Sequence, residues 1–394
     1  MTRTRRGDFL IILVLGALST VSPFSIDMYL PAFPQIARDL GTTPAEISLS
    51  VSGYFIGLAF GQLFYGPLLD RFGRKTPLYA GLSLFVLASV GCMTARSPGL
   101  FIAFRLLQAV GGCAAQVGAV AMVRDFFPVE QSARILSMLI LVLSVSPFFA
   151  PTIGGYVTTT IGWQWIFAIL AGFALIVMTL LRLALPEGRK PDPDVSLRPG
   201  AIIREFLNII ELPQFHTYAV GGAFAFAGLF VYVTGASIIF IDAFHVGPRT
   251  FGLIFAGIAF SFIGGSQFNI WLSRWHSERK IFRAAVIGQN VIMPVILLGT
   301  YFGWYGLTAN VVLLLCYLPF CGIAFPNAAA LALAPFTRNI GSASALLGFL
   351  QMGIGAMAST GVGLLHASSS LPIYAVMAAT ALIGLVILLA RARP

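Results

Sequence analysis

The sequence predicts an all-α integral membrane protein with twelve transmembrane helices in two six-helix lobes. Three observations carry that prediction. Of 394 residues, 58% are hydrophobic and 10% charged, with a mean hydropathy of +0.90, whereas a soluble domain carries about 25% charged residues. Apolar runs of about 20 residues, the length that crosses a bilayer, recur along the whole chain. The two halves also share a weak repeat: "LLDRFGRK" (68–75) follows the second run of one half, and "WLSRWHSERK" (271–280) follows the second run of the other.

The first run, near 9–37, is too long for a signal peptide's apolar region and has no small-residue cleavage site before Asp27. It reads as a retained span. The others of the first half lie near 46–68, 77–95, 99–123, 132–158 and 163–185, and those of the second near 214–241, 250–272, 281–302, 306–334, 341–365 and 371–390. The long polar connection, Pro186 to Pro213, is a linker with a short surface helix expected around Ile202 to Ile210. The organisation is therefore a first lobe over 1–185, a linker over 186–213 and a second lobe over 214–394.

Charge orients the spans. With the N-terminus in the cytoplasm, 20 of the 24 Lys and Arg fall in cytoplasmic segments, while Arg38, Arg96 and Arg249 lie on the opposite side. This is the bias of membrane proteins, and it accounts for the net charge of +10 without a nucleic-acid partner. Both termini are expected inside. The four cysteines sit in apolar runs without paired spacing and the four histidines are scattered, so neither disulfides nor a metal site are expected. An intramembrane enzyme would need a nucleophile with its base, or metal ligands, at depth. There is no HExxH, no Ser–His pairing within a span and no second deep aspartate.

Two ionisable residues lie deep in the spans, where such groups mark function by default. Asp27 is roughly 16 Å and Arg105 roughly 10 Å from the outer ends of their helices, at 1.5 Å per residue. On a continuous helix, Gly16, Thr20, Pro23, Asp27, Pro31 and Pro34 share one stripe, and Arg105, Gln108, Gly112 and Gln116 share an arc. Both polar faces are expected to point into a central cavity. Asp27 is then either half of a structural ion pair with Arg105 or a titrating site, in which burial and the guanidinium act in opposite senses on its proton affinity. Further cavity candidates are Tyr29, Pro31, Tyr54, Tyr232, Asn290, Asn327 and Gln351. Two repeated six-span halves with a polar site between them is the plan of a secondary transporter.

"GPLLDRFGRK" fits G-x-x-x-D-R-x-G-R-K over Gly66, Asp70, Arg71, Gly73, Arg74 and Lys75. Its glycines permit a tight turn and its basic residues anchor the cytoplasmic side. The loop resembles the motif between helices 2 and 3 of the major facilitator superfamily. "RLLQAVGG" (105–112) resembles the helix 4 motif of its proton-coupled drug exporters. In helix 5, Ser137, Ser146, Pro147, Pro151, Gly154 and Gly155 fall at the spacing of the antiporter motif. "SIDMYLPAFP" (25–34) and "SPFFAPTIGG" (146–155) add a resemblance to the Bcr/CflA family of bacterial drug-resistance exporters.

That resemblance implies a multi-pass protein of the bacterial inner membrane, working as a monomer without cofactor and driven by the proton gradient. It implies efflux of small amphipathic compounds such as bicyclomycin or chloramphenicol. It carries a proton and substrate role onto Asp27, a coupling role onto Arg105 and a gating role onto Asp70, Arg71 and Arg74. A symporter, or an exporter of one specific metabolite, with the same fold is the alternative.

Overall fold

The computed structural model describes residues 5–188, 191–193, 199–336, 340–365 and 369–391, with the side chains of 5–8, 199, 201–202, 391 and part of 129–145 outside the description. The first half holds α1 (Arg5–Asp27), α2 (Phe33–Asp39), α3 (Pro44–Arg71), α4 (Lys75–Thr94), α5 (Pro98–Phe126), α6 (Val129–Thr160) and α7 (Gln164–Ala184). The linker carries α8 (Pro199–Ile210), close to the expected surface helix. The second half holds α9 (Pro213–Ser237), widened into a π-helical turn over Ile238–Ala243, then α10 (Pro248–Leu272), α11 (Glu278–Tyr301), α12 (Leu307–Leu333), α13 (Ile340–Leu364) and α14 (Ser370–Arg391). Among the described residues, eleven segments are long and apolar enough to cross a membrane, with α1 and α2 forming one of them. The remaining expected span is α6, 32 residues long.

Several spans start on proline, at Pro44, Pro98, Pro213 and Pro248. The first turn of a helix has no intrahelical acceptor for its N–H groups, so proline loses nothing there. Thr43 and Ser97 cap α3 and α5 by accepting hydrogen bonds from the backbone N–H of Glu46 and Leu100.

The first span departs from the expected continuous helix. α1 stops at Asp27, a 3-10 turn covers Leu30–Ala32, and α2 resumes at Phe33. The cause is local. Residue 31 would have to donate its N–H to the Asp27 carbonyl, and proline has none. Pro34 repeats the omission one turn on. The six-residue stripe therefore ends at Asp27: Pro31 lies in the turn and Pro34 in α2, on other helical axes.

Within each half the helices pack through small residues, which let backbones approach where lipid supplies no hydrophobic drive. The halves meet along two helix pairs, α3 with α13 and α6 with α10. Ser52 and Ser359 share a hydrogen bond of 2.9 Å across the first pair. In the second, a Cβ built on Gly155 would lie 2.6 Å from the Pro248 carbonyl oxygen, and one on Gly252 would lie 2.9 Å from Thr152 Cα. Gly154 is tighter still, since its Cβ would sit 1.7 Å from the Met28 carbonyl oxygen. That carbonyl belongs to the break in the first span, so Gly154 lets α6 lie directly on it.

Gly154→Ala should lower stability by about 1–3 kcal/mol, the range for overpacking a tight contact. Gly257→Ala, with nothing within 4 Å of its Cβ position, should be neutral or stabilise by about 0.5–1 kcal/mol. Thermal unfolding of the purified variants in detergent measures both.

Candidate functional site

The break at Asp27 leaves carbonyl groups without helical partners. One of them is taken by Arg105, which is fully buried. Arg105 Nη2 donates to the Ser25 carbonyl oxygen at 3.0 Å, and Nη1 donates to Ser25 Oγ at 2.7 Å and to Gln108 Oε1. Gln108 is held in turn, its Nε2 donating to Ser89 Oγ at 2.7 Å. The guanidinium carbon lies 4.2 Å from the Tyr29 ring centroid and 4.4 Å from that of Tyr54. Tyr29 and Ser50 share a hydrogen bond of 2.8 Å, and the Tyr54 hydroxyl donates to Ser22 Oγ at 3.2 Å. Gly112 makes room for this meeting, since a Cβ there would come within 2.6 Å of Ser22 Oγ. The arginine is a cationic cap on the C-terminus of α1, where positive charge is favoured.

Asp27 is buried, at 7% exposure, and its partner is Ser146 of α6, whose Oγ donates to Oδ2 at 3.4 Å. It makes no ion pair with Arg105. The alternative of a direct ion pair fails because Ser25 and Asp27 are two residues apart on α1, hence on opposite faces. The Ser25 face turns to α5 and its arginine. The Asp27 face turns to a cavity of about 290 Å³.

The cavity lies between the halves. The first half contributes Pro23, Ile26 and Asp27 of α1, Phe55 of α3 and Pro147 of α6. The second contributes Leu229, Phe230, Tyr232 and Val233 of α9, Phe255, Ala259, Phe262 and Ile263 of α10, and Leu318 of α12. Among these lining residues Asp27 supplies the one carboxyl group and Tyr232 the one hydroxyl. The Tyr232 oxygen is buried without a hydrogen-bond partner and lies within electrostatic reach of Asp27. Aromatic rings form the wall: Phe55 meets Phe230 edge-on at 4.5 Å, and Tyr232 stacks on Phe255 at 5.7 Å.

A second polar cluster occupies the basic end of the bundle. Gly73 has φ +78°, a conformation that glycine adopts freely, and it turns the chain so that Arg74 points back into the protein. Arg74 Nε and Nη2 donate to the two oxygens of Asp125 at 2.7 and 3.1 Å, and Nη1 donates to Asp70 Oδ1 at 2.7 Å. This is a forked guanidinium–carboxylate pair, the strong form of the interaction. Lys75 Nζ lies 3.7 Å from Glu187 Oε1, and the Asp192 N–H donates to the Asp70 carbonyl oxygen at 3.1 Å. The linker is thus tied to the loop.

The chain matches the sequence model of the Major Facilitator Superfamily over residues 15–360. It belongs to that superfamily. Among its relatives, a bicyclomycin resistance protein homolog of Haemophilus influenzae is 30% identical over 390 residues, covering 96% of this chain and 95% of the relative. The transporter YdgK of Bacillus subtilis is 31% identical over 374 residues, covering 94% and 92%. The multidrug resistance protein MdtL of Shigella flexneri is 28% identical over 339 residues, covering 85% and 84%. The fold is similar to a crystal structure of a D-xylose-proton symporter, with a TM-score of 0.74 at 15% identity over 97% of this chain and 96% of the other. The Bcr/CflA resemblance and the all-α membrane fold read from the sequence are borne out, and the chain is a multi-pass transporter rather than an enzyme.

Of the residues singled out in this transporter's sequence, Pro23, Asp27, Pro147 and Tyr232 line the cavity. Tyr29, Tyr54, Gln108 and Gly112 do not; they build the pocket that holds Arg105. Gln116, half-buried, leaves its Oε1 without a partner, and neither it nor Pro31 nor Gln351 lines the cavity. Asn290 donates to the Val286 and Ala381 carbonyls at 2.9 Å each, tying α11 to α14, and Asn327 donates to Asn269 Oδ1 at 2.6 Å, tying α12 to α10. In the helix 5 motif, Pro151 is buried, Gly154 and Gly155 make the close contacts, and the side chain of Ser137 lies outside the described residues. Of the glycine-loop residues, Gly66 has open space beside it, and Arg71 lies 5.9 Å from the Phe72 ring.

Sequence reasoning missed Asp125 and the phenylalanines of the wall. Asp125 carried a signal, a carboxylate at the end of a span beside a basic loop. Phe55, Phe230, Phe255 and Phe262 carried none, being four of 34 phenylalanines at ordinary helical spacing.

Arg105→Lys would keep the charge and lose the fork that bonds both oxygens of Ser25. It should lower stability by about 2 kcal/mol, the scale of hydrogen bonds to a charged group, in thermal unfolding of the purified protein. Tyr54→Phe, which keeps the ring against the guanidinium, should lower it by less than about 1.5 kcal/mol.

Proposed function

We propose that the protein exports small amphipathic compounds across a bacterial inner membrane in exchange for protons, by alternating access, with Asp27 as the protonation site. The observation that carries this reading is the lone carboxyl group in an otherwise apolar and aromatic cavity between the halves, partnered by a neutral serine. Such a group presents either a negative charge or a neutral acid to whatever occupies the cavity. The aromatic wall suits varied amphipathic substrates, since apolar contact specifies little. The names of the relatives, bicyclomycin resistance and multidrug resistance, support drugs as the cargo.

On this reading the basic end is cytoplasmic, both termini lie inside, and lobes 1–185 and 214–394 rock about the cavity with the linker 186–213 between them. The close contacts of Gly155 with Pro248 and of Gly252 with Thr152 support an outer side that is closed in this conformation. Substrate enters from the cytoplasm while Asp27 is ionised. After the outer side opens, a proton taken up at Asp27 removes the negative charge and weakens substrate binding, and the neutral site returns inward. Asp70 and Arg74, with Asp125, form the latch on the cytoplasmic side of the first lobe. The protein acts as a monomer and needs no cofactor beyond the proton gradient.

Inverted membrane vesicles with an acid interior test the coupling. Addition of a bicyclomycin- or chloramphenicol-like compound should release protons from vesicles carrying the native protein. Asp27→Asn, at matched expression and with unchanged thermal stability, should release none. Equal release from the two would move the proton site elsewhere and leave Asp27 with a structural role.

A further inference from the structure

We infer that an anionic phospholipid binds in the groove between α4 and α7, its phosphate held between Lys75 and Arg182. The groove, of about 770 Å³, takes Lys75, Thr76 and Tyr79 from the first turns of α4, Thr179 and Arg182 from the last turns of α7, and Glu187 from the start of the linker. Two cations face one carboxylate, so the groove carries surplus positive charge at the end of the bundle where the basic residues collect.

The carboxylate already there holds its place weakly. Glu187 lies 3.7 Å from the Lys75 ammonium, beyond hydrogen-bonding distance, and its side chain is 84% exposed, where solvent screens the pair. The Lys75 side chain is only 14% exposed, so less solvent screens its charge. Arg182 lines the same groove as Lys75, and it and Glu187 both act electrostatically on the Tyr79 hydroxyl, a neutral donor in the same lining. A phosphate diester brings charge and several acceptors to that point and displaces Glu187.

A lipid, rather than free phosphate, fits the remaining lining. Leu175, Met178 and Leu183 continue the groove, and Leu175 and Leu183 are exposed on the outer face, where hydrocarbon surrounds a membrane protein. Phosphate without acyl chains would leave that part unused. The groove also adjoins the Arg74 pair: a Cβ on Gly188, the neighbour of Glu187, would lie 3.0 Å from Arg74 Cγ and 3.3 Å from Asp125 Oδ2. This inference does not depend on the role of Asp27.

The test uses the full-length protein in nanodiscs of phosphatidylcholine containing graded phosphatidylglycerol, with retained phosphatidylglycerol counted by native mass spectrometry. Arg182→Gln and Lys75→Gln should each weaken retention about fivefold, from roughly 1 kcal/mol per basic residue at an anionic surface. Glu187→Gln should strengthen it, and Arg279→Gln, an exposed residue far along the chain, should leave it unchanged. Arg182 and Glu187 are both exposed, so these variants fold. Equal loss in Arg279→Gln would show diffuse attraction only and overturn the site. Equal retention in all variants would overturn it too. Displacement of the lipid by inorganic phosphate at comparable concentration would assign the groove to free phosphate instead.

Discussion

The site depends on one interaction, the capping of a broken helix by a buried arginine. Pro31 removes the N–H that would continue α1 past Asp27, and a helix end inside a membrane cannot turn to water for its missing partners. Arg105 supplies two bonds to Ser25, and the aromatic faces of Tyr29 and Tyr54 surround its charge. Serines and a glutamine complete the shell. Residues of α1, α3, α4 and α5 thus converge on one guanidinium. The break is what allows α6 to lie on the Met28 carbonyl through Gly154, and it sets Asp27 at the mouth of the turn, facing the second half.

Much of this fold was legible because the bilayer constrains it so strongly. Span lengths, loop charges and proline starts each have one dominant physical cause, and the expected segments agree with the helices to within a few residues. The motif at 66–75 was also readable, since a glycine that must take positive φ and an arginine that must find carboxylates leave their mark in sequence. What could not be read was azimuth. Depth placed Asp27 and Arg105 at similar levels and suggested a pair. One helical position decides otherwise: Ser25 turns to the arginine and Asp27, 200° further round at 100° per residue, turns away.

The same limit explains the misplaced cavity candidates. Polar residues within spans such as Asn290 and Asn327 could be read either as cavity contacts or as interhelical packing; both bind helices together, and Gln108 orients Arg105. In a membrane interior an unpaired amide costs several kcal/mol, so most polar side chains are consumed by interhelical bonds. The cavity keeps two polar groups that no such bond consumes. Tyr232 keeps a buried hydroxyl without a partner, and Asp27 has only a long bond to Ser146. The phenylalanines around them could be any core residues until the two halves are assembled.

Separation of the two deep charges bears directly on the proposed mechanism. Opposite charges in contact favour each other's ionised forms, and a carboxylate locked to Arg105 would hold one charge state through the cycle. Here the arginine's hydrogen bonds go to Ser25 and Gln108, and the acid keeps only a neutral serine. The break therefore serves both groups: α1 ends with the carboxyl group turned into the cavity, and the Ser25 carbonyl in its last turn is held by the arginine. An N–H at residue 31 would return the Asp27 carbonyl to an ordinary helical bond, whereas the Ser25 carbonyl that Arg105 holds has its helical donor two residues earlier, at position 29. With the arginine spent on Ser25 and the acid bonded only to Ser146, the two deep charges sit at one helix end without neutralising each other.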